Sequence, residues 1–517
     1  MQNRQIRQID IAKIIESLRQ VTPNAQLTSD SRAIVAGDIF FAFPVSANAG
    51  DGRRHIKSAI ENGAAAVVFD PENFNWDESF TIPHIAVAYL RENLGCIANA
   101  WYGKSDHEMY IVAVTGTNGK TSCSQWLAKA LSLTSSPCAV IGTLGVGNYL
   151  DGVLENLVET GFTTPDAIQL QRRLADLHYA GANALAIEAS SIGLEQGRLN
   201  GLHIDVALLT NLTRDHLDYH GDMEAYAAAK TILFDWPGLV TAVFNLDDEY
   251  GVQMVQRIHL QSAQQKNKVR VLGYSLEQKT HTNAEVIVAS NLRTHHAGTN
   301  FHVESAFGSG LVKTQMIGRF NVSNVLGVLS VLLAKGISWT AAVGAIEKLE
   351  SVPGRMQQLG SAGRAMVVID YAHTPDALEK TLLTLQQVAL ERQGELWCVF
   401  GCGGDRDPGK RPQMGKIAEL AQHVVVTSDN PRTEKPATII QDILNGMNIV
   451  PQVIEDRASA ILFAIKHAGK NDVVLLAGKG HETYQDIAGK KWPFSDEEHA
   501  LLALASVVAS GNLQGGR

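Results

Sequence analysis

The chain has 517 residues, 45% of them apolar, with a formal net charge of −9 at neutral pH. That length exceeds what one hydrophobic core organises, so two to four domains are expected. The negative charge argues against a nucleic-acid or membrane-surface protein; no apolar run reaches transmembrane length, and with residues 1–10 polar no signal peptide is expected.

Residues 1–107 read as a first domain. Short apolar strands are expected at 38–42 and 65–69, with a basic cluster, Arg53, Arg54 and His55, between them. A second domain, 108–351, opens on the most informative stretch of the chain. An apolar β-branched run at 110–114 leads into Thr115, Gly116, Thr117, Asn118, Gly119, Lys120, Thr121 and Ser122, and a helical segment follows at 125–133. Strand, glycine loop and Lys-Thr at a helix start form a phosphate cradle. Glycines let backbone N–H groups turn onto phosphate oxygens, and the helix N-terminus adds partial positive charge. Lys120 is expected to reach the β- and γ-phosphates and the Thr121 hydroxyl to bind Mg²⁺. Val114 stands where the strict pattern has its first glycine, so the loop is a shortened variant.

Further strands are expected at 184–188, 206–210 and 241–245, alternating with helices, which predicts a mostly parallel α/β sheet. Residues 284–316 alternate as antiparallel strands do. Two of these strand ends carry metal-site chemistry: Glu188 closes one, and His216 follows another. A carboxylate on a strand beside a phosphate loop is where a magnesium-binding group belongs. His216 and His220 are four apart and suggest a zinc pair, but no third ligand accompanies them. The third domain, 352–517, begins near Val352, Pro353 and Gly354, a candidate hinge. Four buried strands, at 366–370, 396–400, 423–427 and 472–476, each run into a polar or glycine-rich loop. Open parallel sheets bind ligands beyond the carboxyl ends of their strands, so a second site is expected there. The five cysteines are scattered without zinc spacing, as in a reduced cytoplasmic protein; Cys398 and Cys402 read as strand and loop residues.

Taken together, Gly116 to Thr121, Glu188-Ala189-Ser190-Ser191, Thr210 to His220, Gly318-Arg319-Phe320-Asn321 and Asp370 to Asp376 resemble the Mur ligase family. So do Gly401 to Arg406, Asp429-Asn430-Pro431-Arg432 and Gly478 to Glu482. These are ATP-dependent amide-forming enzymes of peptidoglycan precursor synthesis, and the resemblance covers all three parts of the chain. It implies a small N-terminal α/β domain for the uridine nucleotide, a central P-loop-type ATPase domain and a C-terminal Rossmann-like α/β domain. The implied reaction joins UDP-N-acetylmuramoyl-L-alanyl-D-glutamate to meso-diaminopimelate through an acyl phosphate. ATP is the co-substrate and Mg²⁺ the cofactor, all partners are small molecules, and a monomer is expected.

The resemblance also implies roles. Gly116 to Ser122, with Asn321 and Arg355, would bind ATP. Glu188 and His216 resemble magnesium-site residues, and Lys230 matches a lysine that is carbamylated in the family, giving a carboxylate-like anion. Ser31, Ser46, Ala47 and Asn48 resemble uridine-nucleotide contacts; Thr163, Thr164, Ser191, Gln196 and Arg198 resemble contacts to the muramoyl-peptide arm. Arg406, Asp429, Asn430, Pro431, Arg432, Gly478 and Glu482 resemble the amino-acid pocket. Ile192 departs from the pattern, replacing a histidine common after the paired serines, and the loop at 46–50 is lengthened. Three competitors remain: folylpolyglutamate synthetase, a lysine-adding Mur ligase, and a P-loop ATPase with no ligase activity. Arg432 favours diaminopimelate, because a guanidinium can pair bidentately with a distal carboxylate that lysine lacks.

Overall fold

The computed structural model describes residues 9–46, 50–262, 269–295, 298–360 and 364–514, in which three main sheets follow one another along the chain. The first has four parallel strands, Leu27–Thr28, Ile39–Ala42, Ala66–Phe69 and His84–Ala86, in that spatial order. Successive side chains of a strand point to opposite faces. Ile39, Phe41, Ala66 and Val68 therefore pack under one layer with Leu90, Leu94 and Ile97, while Phe40, Ala42, Val67 and Phe69 pack against Ile56 and Ala59. The basic cluster is not an open anion site at Arg53, which is buried, paired with Asp51 at 2.8 Å and donating to the Asp70 carbonyl.

The second sheet has eleven strands. At its centre Tyr110–Thr115 lies between Ala184–Glu188 and Val206–Leu209, parallel to both. Thr241–Asn245, Arg270–Ser275 and Glu285–His295 continue the parallel set, and Gly298–Ser305 and Gly308–Thr314 close that side antiparallel. The opposite edge is the antiparallel pair Gly145–Leu150 and Val153–Val158. Both faces are covered, so the central strands are apolar throughout instead of alternating. The helix after the phosphate loop spans Lys120–Thr134, starting earlier than the apolar pattern shows because Gly119, at φ +88°, hands the chain directly into its first turn. It packs against Arg319–Ala334, a helix buried on nearly every face.

The third sheet runs Gln357–Leu359, Met366–Asp370, Val473–Ala477, Leu396–Phe400, His423–Val426, Gln452–Val453, parallel except for its first strand. Two apolar layers cover it, one with Leu382, Leu385 and Met414, the other with Ile461, Ile465 and Leu504. The four polar loops read from the sequence all emerge at the carboxyl edge of this sheet, and a hairpin, Tyr484–Ile487 with Lys490–Pro493, contacts the loop at 429–432.

Candidate active site

A cavity of about 610 Å³ lies where the carboxyl edges of the second and third sheets face one another. Its walls include Thr117 to Ser122, Glu188 and Lys230 from the second part and Arg406, Asp429, Asn430, Arg432, Gly478 and Glu482 from the third. Contacts across the junction are direct. Asn118 Nδ2 donates to Asp376 Oδ2 at 3.1 Å, Arg355 Nη2 lies 3.3 Å from Thr121 Oγ1, and Arg214 and Asp407 approach to 3.6 Å.

The phosphate loop is shaped by its neighbour strand. The Thr117 amide donates to the Asn211 carbonyl at 2.9 Å, the Asn118 amide to Asn211 Oδ1 at 3.0 Å, and Thr210 Oγ1 to the Asn118 carbonyl at 2.6 Å. Gly116 runs at φ +147°, and a Cβ there would meet Thr210 Oγ1 at 1.9 Å, so only glycine fits. Lys120 Nζ donates to the Gly116 and Thr117 carbonyls, each at 2.8 Å. Burial lowers the Lys120 pKa, opposed by the charges of Glu188 and Asp215.

Glu188 is fully buried. Its carboxylate accepts from Thr121 Oγ1 at 3.1 Å, the Thr143 amide at 2.8 Å and Thr143 Oγ1 at 3.1 Å. A Cβ on Gly142 would stand 2.2 Å from Glu188 Oε1, so that strand end must be glycine for the carboxylate to lie against it. Lys230 is buried, with Nζ 2.9 Å from the Gly116 carbonyl and 4.4 Å from the Tyr226 ring centre. Burial, and then the positive charge of Lys120, hold its pKa well below the usual lysine range. His216 has left-handed backbone, φ +54°, and Nε2 lies 3.4 Å from Asp215 Oδ2. Burial lowers the His216 pKa while Asp215 opposes the shift. His220 faces Ser191 Oγ at 3.0 Å instead, so the two histidines do not form a zinc pair.

Oxygen donors suited to Mg²⁺ do gather: Thr121 Oγ1 and Thr143 Oγ1 flank Glu188 Oε2. Magnesium commonly takes one or two carboxylates and completes its shell with water and phosphate oxygens. Among the described residues no group of three or more His, Cys, Asp or Glu side chains is placed to hold a metal ion. The chemistry of Thr121 Oγ1 and Glu188 Oε2, 3.1 Å apart, suits one such ion. His216 and an unmodified Lys230 ammonium do not by themselves supply a second set.

Of the residues expected at the muramoyl-peptide arm, Thr163, Thr164, Ser191 and Arg198 line the cavity. Thr164 Oγ1 donates to the Glu188 carbonyl at 2.7 Å, Arg198 Nη1 donates to the Thr164 carbonyl at 2.7 Å, and Gln196 holds the Arg198 guanidinium from the side at 2.7 Å. Ser31 is buried in the first part, where Asn62 Nδ2 donates to its carbonyl, and it is not brought to this cavity. Ser46 ends the strand Pro44–Ser46; Ala47 and Asn48 lie outside the described residues. Asn321 is buried in its helix, with Nδ2 donating to the Ile317 carbonyl, and does not line the cavity, whereas Arg355 does.

In the third part, Asn430 Nδ2 donates to Glu482 Oε2 at 2.7 Å, and Arg432 Nη1 donates to the Gly404 carbonyl at 2.6 Å. Asp429 is buried, which raises its pKa against the opposing charges of Arg457 and Lys479. Gly478, at φ +113°, leaves room for Asp429 Oδ2, which a Cβ would approach to 2.4 Å. Pro431 is buried behind this wall and not on it. Thr143, Asn211, Asp215 and Asp376 also stand at the site without an individual signal in the sequence. All but Thr143 lie within the motif segments, yet nothing in the one-dimensional pattern marks which member turns inward.

Known proteins fit this geometry. Residues 114–332 match the Mur ligase middle domain and residues 354–480 the Mur ligase, glutamate ligase domain. A relative from Janthinobacterium sp. (strain Marseille) is 56% identical over 97% of this chain and 98% of its own length. The chain belongs to the Mur ligase family. That relative is a UDP-N-acetylmuramoyl-L-alanyl-D-glutamate–2,6-diaminopimelate ligase. A solved structure bearing the same enzyme name is 39% identical, with TM-score 0.65 over 93% of this chain and 94% of that one. The Mur ligase fold extends to MurF from Thermotoga maritima, solved with ADP, at 18% identity and TM-score 0.62 over 94% of this chain and 98% of that one.

Proposed function

We infer that this Mur ligase forms the amide bond between UDP-N-acetylmuramoyl-L-alanyl-D-glutamate and meso-diaminopimelate at the expense of ATP. One observation carries the reading: a single cavity is walled on one side by a phosphate loop with a buried carboxylate, and on the other by acidic, amide and guanidinium groups suited to an amino acid. The close relatives bear the name of that enzyme.

A carboxylate is a poor acyl donor until its oxygen leaves as phosphate. Transfer of the γ-phosphoryl group from ATP to the glutamyl carboxylate gives ADP and an acyl phosphate. The neutral amine of diaminopimelate then attacks the acyl carbon, and the tetrahedral intermediate expels inorganic phosphate, leaving the amide. Lys120 moves from the Gly116 and Thr117 carbonyls to the phosphate oxygens, and Arg355 joins it from the third part. Catalysis of this kind rests on positioning and charge. Thr121 and Glu188 would hold Mg²⁺, which supplies positive charge to the crowded phosphates. Closure of the two walls excludes water that would hydrolyse the acyl phosphate.

The low pKa of Lys230 supports its carbamylation, because the neutral amine is the form that adds to CO₂, releasing a proton and leaving an anion. That anion, with His216, would complete a second cation site. Arg406, Asp429, Asn430, Arg432, Gly478 and Glu482 are proposed to hold diaminopimelate, and Thr163, Thr164, Ser191 and Arg198 the muramoyl peptide. Domain limits of 1–107, 108–351 and 352–517, a cytoplasmic location and a monomer complete the proposal. Among the described residues no helix is long and apolar enough to cross a membrane. The test is phosphate release with ATP, the UDP-muramoyl dipeptide and a panel of amino acids. Release that requires the dipeptide and is fastest with meso-diaminopimelate supports the reading. Preference for lysine, or release without any amino acid, overturns it.

A further inference from the structure

Lys479 has no place in the chemistry above, yet its side chain is wholly buried beside the amino-acid wall. Two glycines put it there. Gly478 (φ +113°) and Gly480 (φ +54°) turn the chain after the strand Val473–Ala477, and a Cβ on either would collide, with Asp429 Oδ2 at 2.4 Å or the Tyr371 side chain at 2.8 Å. The ammonium lands 3.1 Å from Asn430 Oδ1 and 2.9 Å from Glu482 Oε2, with the Tyr484 and Phe494 rings 5.8 and 5.9 Å away.

These contacts fix how two cavity-lining groups present themselves. Asn430 Oδ1 accepts from Lys479 Nζ and from the Asp486 amide at 2.9 Å, while Nδ2 donates to Glu482 Oε2 at 2.7 Å. A flipped amide would set NH₂ against an ammonium and an N–H, and its oxygen against a carboxylate, so only one orientation is satisfied. Glu482 Oε2 in turn takes two donors, which leaves Oε1 as the acceptor for a ligand. Lys479 itself does not line the cavity; Asn430 and Glu482 do.

We propose that Lys479 is a positioning residue for the incoming amino acid, locking the Asn430 amide and turning one Glu482 oxygen toward the substrate's second, non-attacking ammonium. This rests on the assignment of the third-part wall to the amino acid. Removing the ammonium frees the amide to flip and the carboxylate to swing, so the loss falls on amino-acid binding and spares the nucleotide half.

The test compares steady-state constants for meso-diaminopimelate, ATP and the UDP-muramoyl dipeptide in wild type, Lys479→Met, Lys479→Gln, Glu482→Gln and the Lys479→Met/Glu482→Gln double variant. Hydrogen bonds to charged groups predict a rise in the diaminopimelate KM of roughly 10- to 100-fold in Lys479→Met. Lys479→Gln, which keeps an uncharged NH₂ donor group, is intermediate, and the other two KM values stay within about twofold of wild type. The double variant falls short of the product of the two single effects, because Lys479 acts through Glu482. Binding of a non-hydrolysable ATP analogue and thermal unfolding report that each variant is folded; if the Met variant is insoluble, the Gln variant decides on the same criterion. A diaminopimelate KM unchanged in a folded Lys479 variant, while Glu482→Gln raises it, overturns the positioning role alone. An unchanged KM in Glu482→Gln overturns the amino-acid wall and the proposal with it. Parallel rises in all three KM values make Lys479 a structural residue and also refute the proposal.

Discussion

Arg432 offers the sharpest test of acceptor choice. Its backbone is left-handed, φ +50°, and its Nη1 donates to the Gly404 carbonyl at 2.6 Å, which aims the half-buried guanidinium along the cavity wall. A guanidinium has five N–H donors, so four remain for a carboxylate. Arg432→Asn removes them with a residue that tolerates left-handed backbone. Loss of one partner of a desolvated, hydrogen-bonded charge pair costs about 2–5 kcal/mol, and partial exposure of this site favours the lower part, about 2–4 kcal/mol. At about 1.4 kcal/mol per tenfold, kcat/KM for meso-diaminopimelate should fall by roughly 30- to 700-fold. Lysine has no distal carboxylate, so its residual rate should change little. The assay is kcat/KM for both amino acids in both enzymes, with KM for ATP as the control. An equal loss for the two amino acids would refute substrate reading by Arg432 and leave it a fold-maintaining residue.

Four further outcomes are expected. Lys120→Ala should be folded and almost inactive at saturating ATP, and near-normal turnover would remove the phosphate-loop assignment. Lys230→Ala should be nearly inactive and partly restored by added short carboxylates; the absence of any rescue, together with an unmodified ammonium in a ligand-bound crystal structure, would count against carbamylation. Burial lowers the pKa of His373 and of His481 to about 4, against about 6.5 in an unfolded chain. The unfolded state then binds more protons, so their contribution is intact above pH 6.5 and is lost as pH falls toward 4, by at most about 1.4 kcal/mol per pH unit for each group. Urea midpoints at pH 7 and pH 5 measure this, and His481→Asn should flatten the dependence. Arg457 and Asp496 form a fully buried pair at 2.7 Å, with Arg457 also donating to the Ala477 carbonyl at 3.0 Å. Asp496→Asn should therefore destabilise the third part by about 3–5 kcal/mol in urea unfolding, and a loss below about 1 kcal/mol would show the pair to be dispensable.

The parallel strands were legible because burial on both faces makes them continuous apolar runs, as at Met366–Asp370 and Leu396–Phe400. The antiparallel edge at Gly298–Ser305 and Gly308–Thr314 was legible from alternation for the converse reason. The glycine loop between Tyr110–Thr115 and the helix Lys120–Thr134 was legible because its glycines, lysine and threonine stand together in sequence. Partnerships formed across the fold were not. Glu188 and Thr143 are 45 residues apart, and Asn118 and Asp376 are 258 apart, so no local spacing announces either contact. Asn321 stands in one of the motifs, yet its Nδ2 donates to the Ile317 carbonyl just ahead of the helix Arg319–Ala334, and the residue does not line the cavity.

The two walls of the cavity come from different sheets, and this has a consequence for how such an enzyme can diversify. On the proposed roles, the groups that activate the carboxylate stand at the edge of the second sheet, and the groups that recognise the acceptor stand on loops of the third. Loop residues at strand ends tolerate replacement without disturbing the strands beneath them. Acceptor choice can therefore drift through exchanges at positions such as 406 and 432 while the phosphoryl-transfer half is inherited intact. On those roles, energy coupling and acceptor identity are separately heritable parts of one molecule.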